Sequence, residues 1–199
     1  MSDHLAQIIS RLHREMAMQS TLLVGIDGLG GAGKTLTAAA IADTLHSMGL
    51  VVMVVHIDDF FLPSADRPQG TPEMKPIGGD FDWQRLRDEV LLPLRNKRFA
   101  RYRRYDWKRD ELAETHEIQA CGIIVVEGVY CTRRELADLY DIRVWIDCPR
   151  DVRLARGINR DGETGRNRWE FDWQPCEERY VQEHDPKQTA HFVIPGQTA

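Results

Sequence analysis

Short apolar runs alternate along this chain with segments whose apolar residues recur at helical spacing. Residues 1–20 have the helical spacing and predict an N-terminal amphipathic helix. The runs are too short for helices and show little alternation with polar residues, which is typical of strands covered on both faces. Strands are therefore predicted at residues 21–27, 50–57, 123–126, 144–146 with the flanking Ile142, and 191–194.

Helical patterns separate these strands and indicate the fold class. They cover residues 34–48, 81–96 and 151–160. Apolar strands that alternate with helices predict an α/β fold, in which a mostly parallel sheet has helices on both faces. The chain has 199 residues and no stretch that resembles an inter-domain linker, so we expect residues 1–199 to form a single domain.

A glycine-rich segment joins the first predicted strand to the helix that follows it. It fits the P-loop pattern Gly28-x-x-x-x-Gly33-Lys34-Thr35 at all fixed positions. Backbone N–H groups of such a loop surround phosphates, while the lysine reaches the β- and γ-phosphates and the hydroxyl binds Mg²⁺. The residues expected to bind ATP are Gly28, Gly30, Gly31, Ala32, Gly33, Lys34, Thr35 and Leu36.

The same glycines permit a second interpretation. Gly28-x-Gly30-x-x-Gly33 is also the fingerprint of dinucleotide-binding proteins, and Asp58 could serve as their ribose-binding acid. An NAD-type oxidoreductase is therefore one alternative, and a non-catalytic nucleotide-binding module is another. Lys34 and Thr35 favour the kinase, because hydride transfer does not require them.

Acidic residues end three of the predicted strands. Asp27 ends the first, Asp58 and Asp59 follow the second, and Glu127 ends the third. Ligands of open parallel sheets bind beyond the carboxyl ends of the strands. Phosphoryl transfer to a hydroxyl needs one carboxylate to accept its proton and another to hold the metal, directly or through water. Asp58 suits the first role and Glu127 the second, whereas Asp27 and Asp59 are typical of residues that cap turns.

Arginines and glycines are concentrated together in residues 150–168. Guanidinium groups that stabilise a transferring phosphoryl group are usually carried on a mobile lid. We therefore expect residues 150–170 to form a small lid. The arginines of this window are Arg150, Arg153, Arg156, Arg160, Arg166 and Arg168.

These motifs, taken in order, resemble the uridine kinase and phosphoribulokinase family. The resemblance rests on the P-loop, on Ile57-Asp58-Asp59-Phe60-Phe61, on Val126-Glu127-Gly128 and on Arg156-x-x-x-Arg160-Asp161. It implies a P-loop NTPase fold with a five-stranded sheet whose central strand leads into the glycine loop. It also implies ATP-dependent phosphorylation of a small acceptor, with Asp58 as the base.

The resemblance extends to the roles of individual residues. Residues 62–110 would form an insert that binds the acceptor. The expected catalytic residues are Lys34, Asp58, Arg156 and Arg160, and the expected Mg²⁺ ligands are Thr35, Asp58 and Glu127. The expected acceptor-binding residues are Asp58, Phe60, Asp82, Tyr105 and Arg166.

One departure from the uridine kinases concerns the acceptor. Those enzymes have a histidine shortly after a tyrosine-aspartate pair, but here Tyr105-Asp106 is followed by no histidine before His116. We therefore expect uridine and cytidine to be poor substrates. We expect instead a nonstandard nucleoside, or a hydroxylated carboxylate or phosphate ester whose acidic group the nearby arginines could hold.

The overall charge narrows the choice of partners. A net charge of −5 argues against nucleic acid or an anionic membrane as a partner. The basic and aromatic stretch at residues 95–109 nevertheless leaves three interpretations open, namely nucleic-acid binding, a solvated hairpin and acceptor binding. No apolar run is long enough to span a membrane, and the cysteines form no CxxC pair. A cytoplasmic protein with buried, reduced thiols is expected, and a homo-oligomer is left open.

Overall fold

The strands form one parallel sheet and one separate hairpin. The computed structural model describes residues 3–196. The strands are β1 Thr21–Gly28, β2 Val52–His56, β3 Ala100–Asp106, β4 Glu111–Ile118, β5 Gly122–Glu127, β6 Ile142–Asp147 and β7 Phe192–Pro195. Five strands pair in parallel in the order β2-β5-β1-β6-β7, and β3 pairs antiparallel with β4. The predicted five-stranded parallel sheet is confirmed, and β1 is its central strand.

Four of the six helices follow the sequence pattern. The helices are α1 Asp3–Met16, α2 Lys34–Ser47, α3 at residues 83–95, α4 Arg150–Asp161, α5 at residues 166–184 and α6 Pro186–Thr189. The α3 and α5 helices each contain a π-helical segment, Leu86–Leu91 and Trp169–Trp173 respectively. The first four helices agree with the predicted ranges, whereas neither the short α6 nor the longer α5 was predicted. The sequence of α5 explains why it was missed. Its aromatic residues Trp169, Phe171 and Trp173 alternate with acidic ones, a spacing that does not indicate a helix.

Apolar side chains cover both faces of the sheet. On one face, Val24 and Ile26 of β1 pack in a core that includes Leu12 of α1 and Ile41 of α2. On the other face, Leu23 lies in a second core with side chains of α3, the β3–β4 hairpin and α5. Alternate residues of one strand thus enter different cores, because successive strand side chains point to opposite faces. This arrangement confirms the prediction of helices on both faces.

The four cysteines are all free thiols, but their burial differs from the expectation. Cys131 is buried, Cys148 and Cys176 are half-buried, and Cys121 is exposed. The prediction of buried thiols is therefore wrong for Cys121, which lies in the turn between β4 and β5. Across residues 3–196, no helix is both long and apolar enough to cross a membrane.

Candidate active site

A cavity of about 660 Å³ opens beyond the carboxyl ends of β1, β2 and β5. One part of its lining, which we call the loop wall, lies within residues 30–36, which comprise the loop after β1 and the start of α2; all of these residues except Ala32 line the cavity. A second part, which we call the aromatic wall, consists of Phe61, Phe81, Trp107 and Tyr130. Asp58 and Glu127 also line the cavity. Residues from distant parts of the chain therefore meet in one concave site.

The loop wall depends on glycine at several positions. Gly31 and Gly33 have φ angles of 77° and 98°, a region that residues with a side chain rarely adopt. Gly33 precedes the first turn of α2, so the helix N-terminus and its free N–H groups face the loop. The Lys34 ammonium donates to the Leu29 carbonyl at 3.1 Å, which folds its side chain back over the loop. This is the geometry of an anion-binding site.

Most of the predicted ATP-binding residues line the cavity. The structure brings Gly30, Gly31, Gly33, Lys34, Thr35 and Leu36 into its wall. Gly28 and Ala32 do not reach the wall, and Ala32 is fully buried. The structure therefore does not support direct contact between a ligand and either of these two residues.

Asp58 and Glu127 face the loop wall from neighbouring strands. Glu127 is the last residue of β5, and Asp58 lies in a 3₁₀ turn, Ile57–Phe60, directly after β2. The Thr35 hydroxyl donates to Glu127 Oε1 at 3.0 Å, and His56 Nδ1 lies 2.6 Å from the same oxygen. Hydrogen bonding to Glu127 raises the pKa of His56. The parallel register of β2 and β5 pairs His56 with Glu127 and thereby sets this contact.

Asp58 is open to the cavity but lies in a confined environment. Solvent reaches its side chain, yet the surrounding protein removes enough bulk water to raise the pKa of its carboxyl group. The negative charge of Glu127 raises this pKa further, whereas the positive charge of Lys34 lowers it. A carboxylate in such a setting is a better proton acceptor than an ordinary aspartate.

The oxygen atoms around Thr35 fit the donor set of a magnesium site. Mg²⁺ is usually held by one or two carboxylates, with phosphates and water completing its coordination. Thr35 and Glu127 are already within hydrogen-bond distance, and Asp58 is close enough for its pKa to respond to Glu127. No cluster of three or more His, Cys, Asp or Glu suited to a metal occurs within the described part of the chain. The donors are those expected for a metal that is shared with a nucleotide.

The other two strand-end acids have structural partners. Asp59 accepts a hydrogen bond from the Tyr102 hydroxyl at 3.0 Å and does not line the cavity. Asp27 is fully buried, and burial raises the pKa of its carboxyl group. It accepts hydrogen bonds from the Gly28 N–H, from Thr132 and from the Tyr180 hydroxyl. Both carboxylates therefore have structural hydrogen-bond partners, and the Asp59 side chain lies outside the cavity lining.

Two helices of the predicted lid, residues 150–170, contribute to the cavity, α4 and, through Trp169, the start of α5. Arg156 and Arg160 of α4 both line it, and Arg156 donates to the Gly31 carbonyl at 3.2 Å. Arg160 is paired with Asp161 at 2.7 Å, and its charge lowers the pKa of Asp58. Arg166 does not line the cavity, because its guanidinium group is paired with Glu163 and Glu170. The structure therefore gives no support to Arg166 as an acceptor ligand.

Three further predicted acceptor-binding residues do not line the cavity. Phe60 is fully buried and stacks on Tyr102. Asp82 caps helix α3, where its carboxylate accepts the Arg85 N–H at 2.9 Å. The Tyr105 hydroxyl donates to Asp110 at 2.6 Å. The structure therefore gives these three assignments no direct support.

The structure instead reveals residues that sequence analysis missed. Lys75 Nζ lies 2.8 Å from Asp172 Oδ1, and both residues line the cavity together with Asp80 and Trp173. Lys75 and Asp80 belong to the loop at residues 62–82, whereas Asp172 and Trp173 belong to α5. The resemblance placed Lys75 and Asp80 inside the expected acceptor-binding insert at residues 62–110 without identifying them. No sequence pattern indicated Asp172 or Trp173 as site residues, because helix α5 itself was not predicted.

The arginines of the β3–β4 hairpin do not line the cavity. Three of them form exposed pairs with glutamates, Arg101 with Glu117, Arg104 with Glu114 and Arg109 with Glu111. Arg103 instead donates to the backbone carbonyls of Leu112 and Ala113. The expectation that these arginines hold an acidic acceptor is therefore not supported, and the solvated-hairpin interpretation fits the structure.

Two uridine kinases are similar to this chain in sequence. A uridine kinase from Staphylococcus carnosus (strain TM300) is 30% identical over 155 residues, which cover 75% of this chain and 73% of that protein. A uridine kinase from Staphylococcus aureus (strain JH9) is 26% identical over 189 residues, with 89% of each chain covered.

The fold also matches a solved structure, a possible uridine kinase from Bacillus stearothermophilus. The TM-score is 0.73 at 24% identity, and the match covers 96% of this chain and 98% of the other. At this identity the match concerns the fold alone. A profile of the Phosphoribulokinase / Uridine kinase family matches residues 23–170. With most of the chain matched, this protein belongs to the phosphoribulokinase/uridine kinase family.

Proposed function

We propose that this protein transfers the γ-phosphoryl group of ATP to a hydroxyl of a nucleoside-like or related hydroxylated small molecule. The family membership supports the general activity, an ATP-dependent kinase of small molecules with an alcohol group as acceptor. It gives no support to the NAD-type oxidoreductase that the glycine pattern also permitted. The acceptor and the roles of individual residues are our inference.

The proposal rests on one observation, that the loop wall, Asp58 and Glu127 all line the same cavity. Phosphoryl transfer requires a phosphate cradle, a metal site and a proton acceptor within reach of one another. The glycine loop supplies the cradle. Thr35 and Glu127 face each other at 3.0 Å as metal ligands, and Asp58 lies beside them.

Asp58 is assigned as the general base. Its carboxylate would accept the proton of the attacking hydroxyl and orient its oxygen towards the γ-phosphorus. Thr35, Glu127 and Asp58 would hold Mg²⁺, which when bound neutralises charge on the phosphates. Lys34 would contact the β- and γ-phosphates. Arg156 and Arg160 would stabilise the negative charge of the transferred group.

The cavity supports a small acceptor with a flat ring. Its volume of about 660 Å³ is in the usual range for small-molecule sites and excludes a macromolecule from the interior. Phe61, Phe81, Trp107 and Tyr130 offer ring faces and edges against which a planar group can pack. This surface favours a nucleoside-like acceptor.

The charges near the aromatic wall argue for a neutral acceptor. Asp80 and Asp172 contribute two carboxylates, and Lys75 is already paired with Asp172. Burial raises the pKa of Asp80, whereas the positive charge of Lys75 lowers it. An acceptor that carries a carboxylate or phosphate would have to compete with Asp172 for this lysine. Among the acceptors considered from the sequence, a neutral nonstandard nucleoside therefore fits best.

A substrate panel with an ATP-consumption readout tests the proposal. Uridine, cytidine, nonstandard nucleosides, hydroxylated acids and sugar phosphates are compared at steady state. We expect a neutral nonstandard nucleoside to be preferred. A kcat/KM for uridine or cytidine above about 10⁴ M⁻¹s⁻¹, the lower end of the usual enzyme range, would contradict the proposed acceptor preference.

Ligand-induced thermal stabilisation tests the cofactor. A ligand at about 100 times its Kd stabilises a protein by roughly 2.7 kcal/mol. ATP with Mg²⁺ should produce such a shift, and Lys34→Ala should reduce it. Stabilisation by NAD without stabilisation by ATP would refute the kinase assignment.

A further inference from the structure

A buried ion pair forms hydrogen bonds with the backbone of the glycine loop at Gly30. Arg153 of α4 and Glu177 of α5 are paired at 3.1 Å and are 3% and 4% exposed. Glu177 Oε1 accepts the N–H of Gly30 at 2.9 Å, and Arg153 donates to the carbonyl of Gly30 at 3.4 Å. The pair therefore holds two successive peptide groups of the loop.

The packing around Gly30 leaves little freedom for the loop. A Cβ atom on Gly30 would lie 2.7 Å from Glu177 Oε1 and 2.8 Å from the Trp169 ring, so the backbone approaches both side chains closely. Arg153 is fixed in turn, because its Nε donates to the Cys148 carbonyl at 3.2 Å. The backbone of Arg153 also packs on Gly31, where a Cβ would lie 2.5 Å from the Arg153 carbonyl oxygen. The loop is thus clamped between α4 and α5.

The charge of Glu177 opposes the proposed ligand. Glu177 also lines the cavity, so a buried carboxylate lies beside a loop that would receive phosphates. Burial raises the pKa of Glu177, and the charges of Lys34 and Arg153 lower it. A buried charge without a partner costs several kcal/mol and would repel an anion nearby. Arg153 is the direct partner that offsets this charge.

We propose that Arg153 and Glu177 are positioning residues for the phosphate loop. Glu177 fixes the orientation of the Gly30 peptide, and Arg153 neutralises the carboxylate so that the loop can accept the phosphates of ATP. This inference rests on the proposed function, because it requires the loop to bind ATP. It assigns no chemical step to either residue.

Three variants of this ion pair are expected to differ in their affinity for ATP. Arg153→Met leaves Glu177 without its partner, and ATP binding should weaken about tenfold or more, as 1.4 kcal/mol of lost binding energy would produce. Arg153→Lys keeps the charge and should stay within about threefold of wild type. The double variant Arg153→Met/Glu177→Gln removes both charges, so it should recover most of the lost affinity.

Calorimetric titration with ATP and Mg²⁺ is the main measurement, with KM for ATP and for the acceptor as the second. The matched control is Glu178→Gln, which removes the exposed pair between Arg150 and Glu178 on the same two helices, 3.0 Å apart, without touching the loop. The control should bind ATP like wild type. In Arg153→Met the KM for ATP should rise while the KM for the acceptor changes by less than about threefold.

The outcomes separate this inference from the proposed function. If the wild-type protein does not bind ATP, the proposed function fails. If it does, and Arg153→Met binds ATP as tightly as wild type or the double variant binds no better than the single one, the positioning role is wrong. If Arg153→Met does not fold, the double variant decides, since binding within about threefold of wild type supports the inference and a tenfold loss overturns it.

Discussion

The loop wall and the aromatic wall face the same cavity but are built in different ways. The loop wall comes from one short stretch of the chain within residues 30–36. The aromatic wall gathers side chains from Phe61 directly after the 3₁₀ turn, from the 62–82 loop, from the β3–β4 turn and from the segment after β5. A local motif thus specifies the proposed phosphate site, while tertiary packing specifies the proposed acceptor site. The type of reaction can therefore be inferred from a local sequence motif, whereas the acceptor has to be inferred from the tertiary structure.

The largest effect is expected at Asp58, which lines the same cavity as the two walls. Asp58→Asn should lower kcat by about 10²- to 10⁴-fold, the range for loss of a general base, with ATP affinity nearly unchanged. Asp59→Asn is the matched control, because Asp59 binds Tyr102 and does not line the cavity. Its effect on kcat should be much smaller. Equal losses at both positions, or a greater loss at Asp59, would show that the wrong carboxylate has been assigned.

A smaller effect is expected at the aromatic wall. Trp107 is 57% exposed and packs on Phe61 with ring centroids 4.5 Å apart. Trp107→Ala should raise the KM for the acceptor roughly tenfold, since stacking on an aromatic side chain contributes about 1–3 kcal/mol per base. ATP affinity should not change. Phe99→Ala, an exposed aromatic outside the cavity, serves as the control. If the acceptor KM is unaffected by Trp107→Ala, the acceptor does not bind at this wall.

A still smaller effect is expected for the contact that supports the aromatic wall. Asp110 accepts hydrogen bonds from Ser64 and Tyr105, which lower the pKa of its carboxyl group to about 2 and tie the loop to the hairpin. Asp110→Asn should raise the acceptor KM by about threefold or less, because exposed charged contacts contribute little.

The pH dependence of this contact has a definite sign. The folded pKa of Asp110 lies below its ordinary value of 3.8, so the contact is complete above that pH and is lost as the pH falls towards about 2. Acceptor KM measured between pH 5 and pH 8 should therefore show no transition from Asp110. A transition in that window that disappears in Asp110→Asn would contradict this assignment.

The smallest effect is expected at the hairpin arginines. Arg101 is paired with Glu117 at 3.7 Å on the exposed hairpin and does not line the cavity. Arg101→Met should change neither kcat nor the acceptor KM by more than about twofold, as is usual for exposed ion pairs. A large rise in KM for an acidic acceptor would restore the earlier expectation that these arginines bind it.

The contrast between the walls also explains what could be predicted from the sequence. The sheet, four of the helices and the loop wall follow from local patterns, because the P-loop spacing and the apolar runs are contiguous in the chain. Asp58 and Glu127 were found because both end strands of a parallel sheet, whose carboxyl ends meet at one edge. These are short-range rules with a direct geometric meaning.

The rest depends on contacts that spacing does not encode. Lys75 and Asp172 are 97 residues apart, and helix α5 carries an alternating aromatic pattern in place of a helical one. Asp82 shows the limit of the resemblance. The resemblance implies that Asp82 binds the acceptor, but in the structure its carboxylate caps α3, a role that aspartate favours at helix N-termini. Asp80, two residues earlier, is the acid that faces the cavity.

The most direct test of the central claim follows the γ-phosphorus of ATP by phosphorus NMR. Wild-type protein, ATP, Mg²⁺ and the best acceptor of the substrate panel are incubated, and Asp58→Asn is treated in the same way. The kinase assignment predicts a new phosphate monoester signal on the acceptor with the wild type, and a signal at least about 10²-fold slower to appear with Asp58→Asn, although that variant still binds ATP. Release of inorganic phosphate without any phosphorylated acceptor, or equal rates for the two proteins, would contradict it.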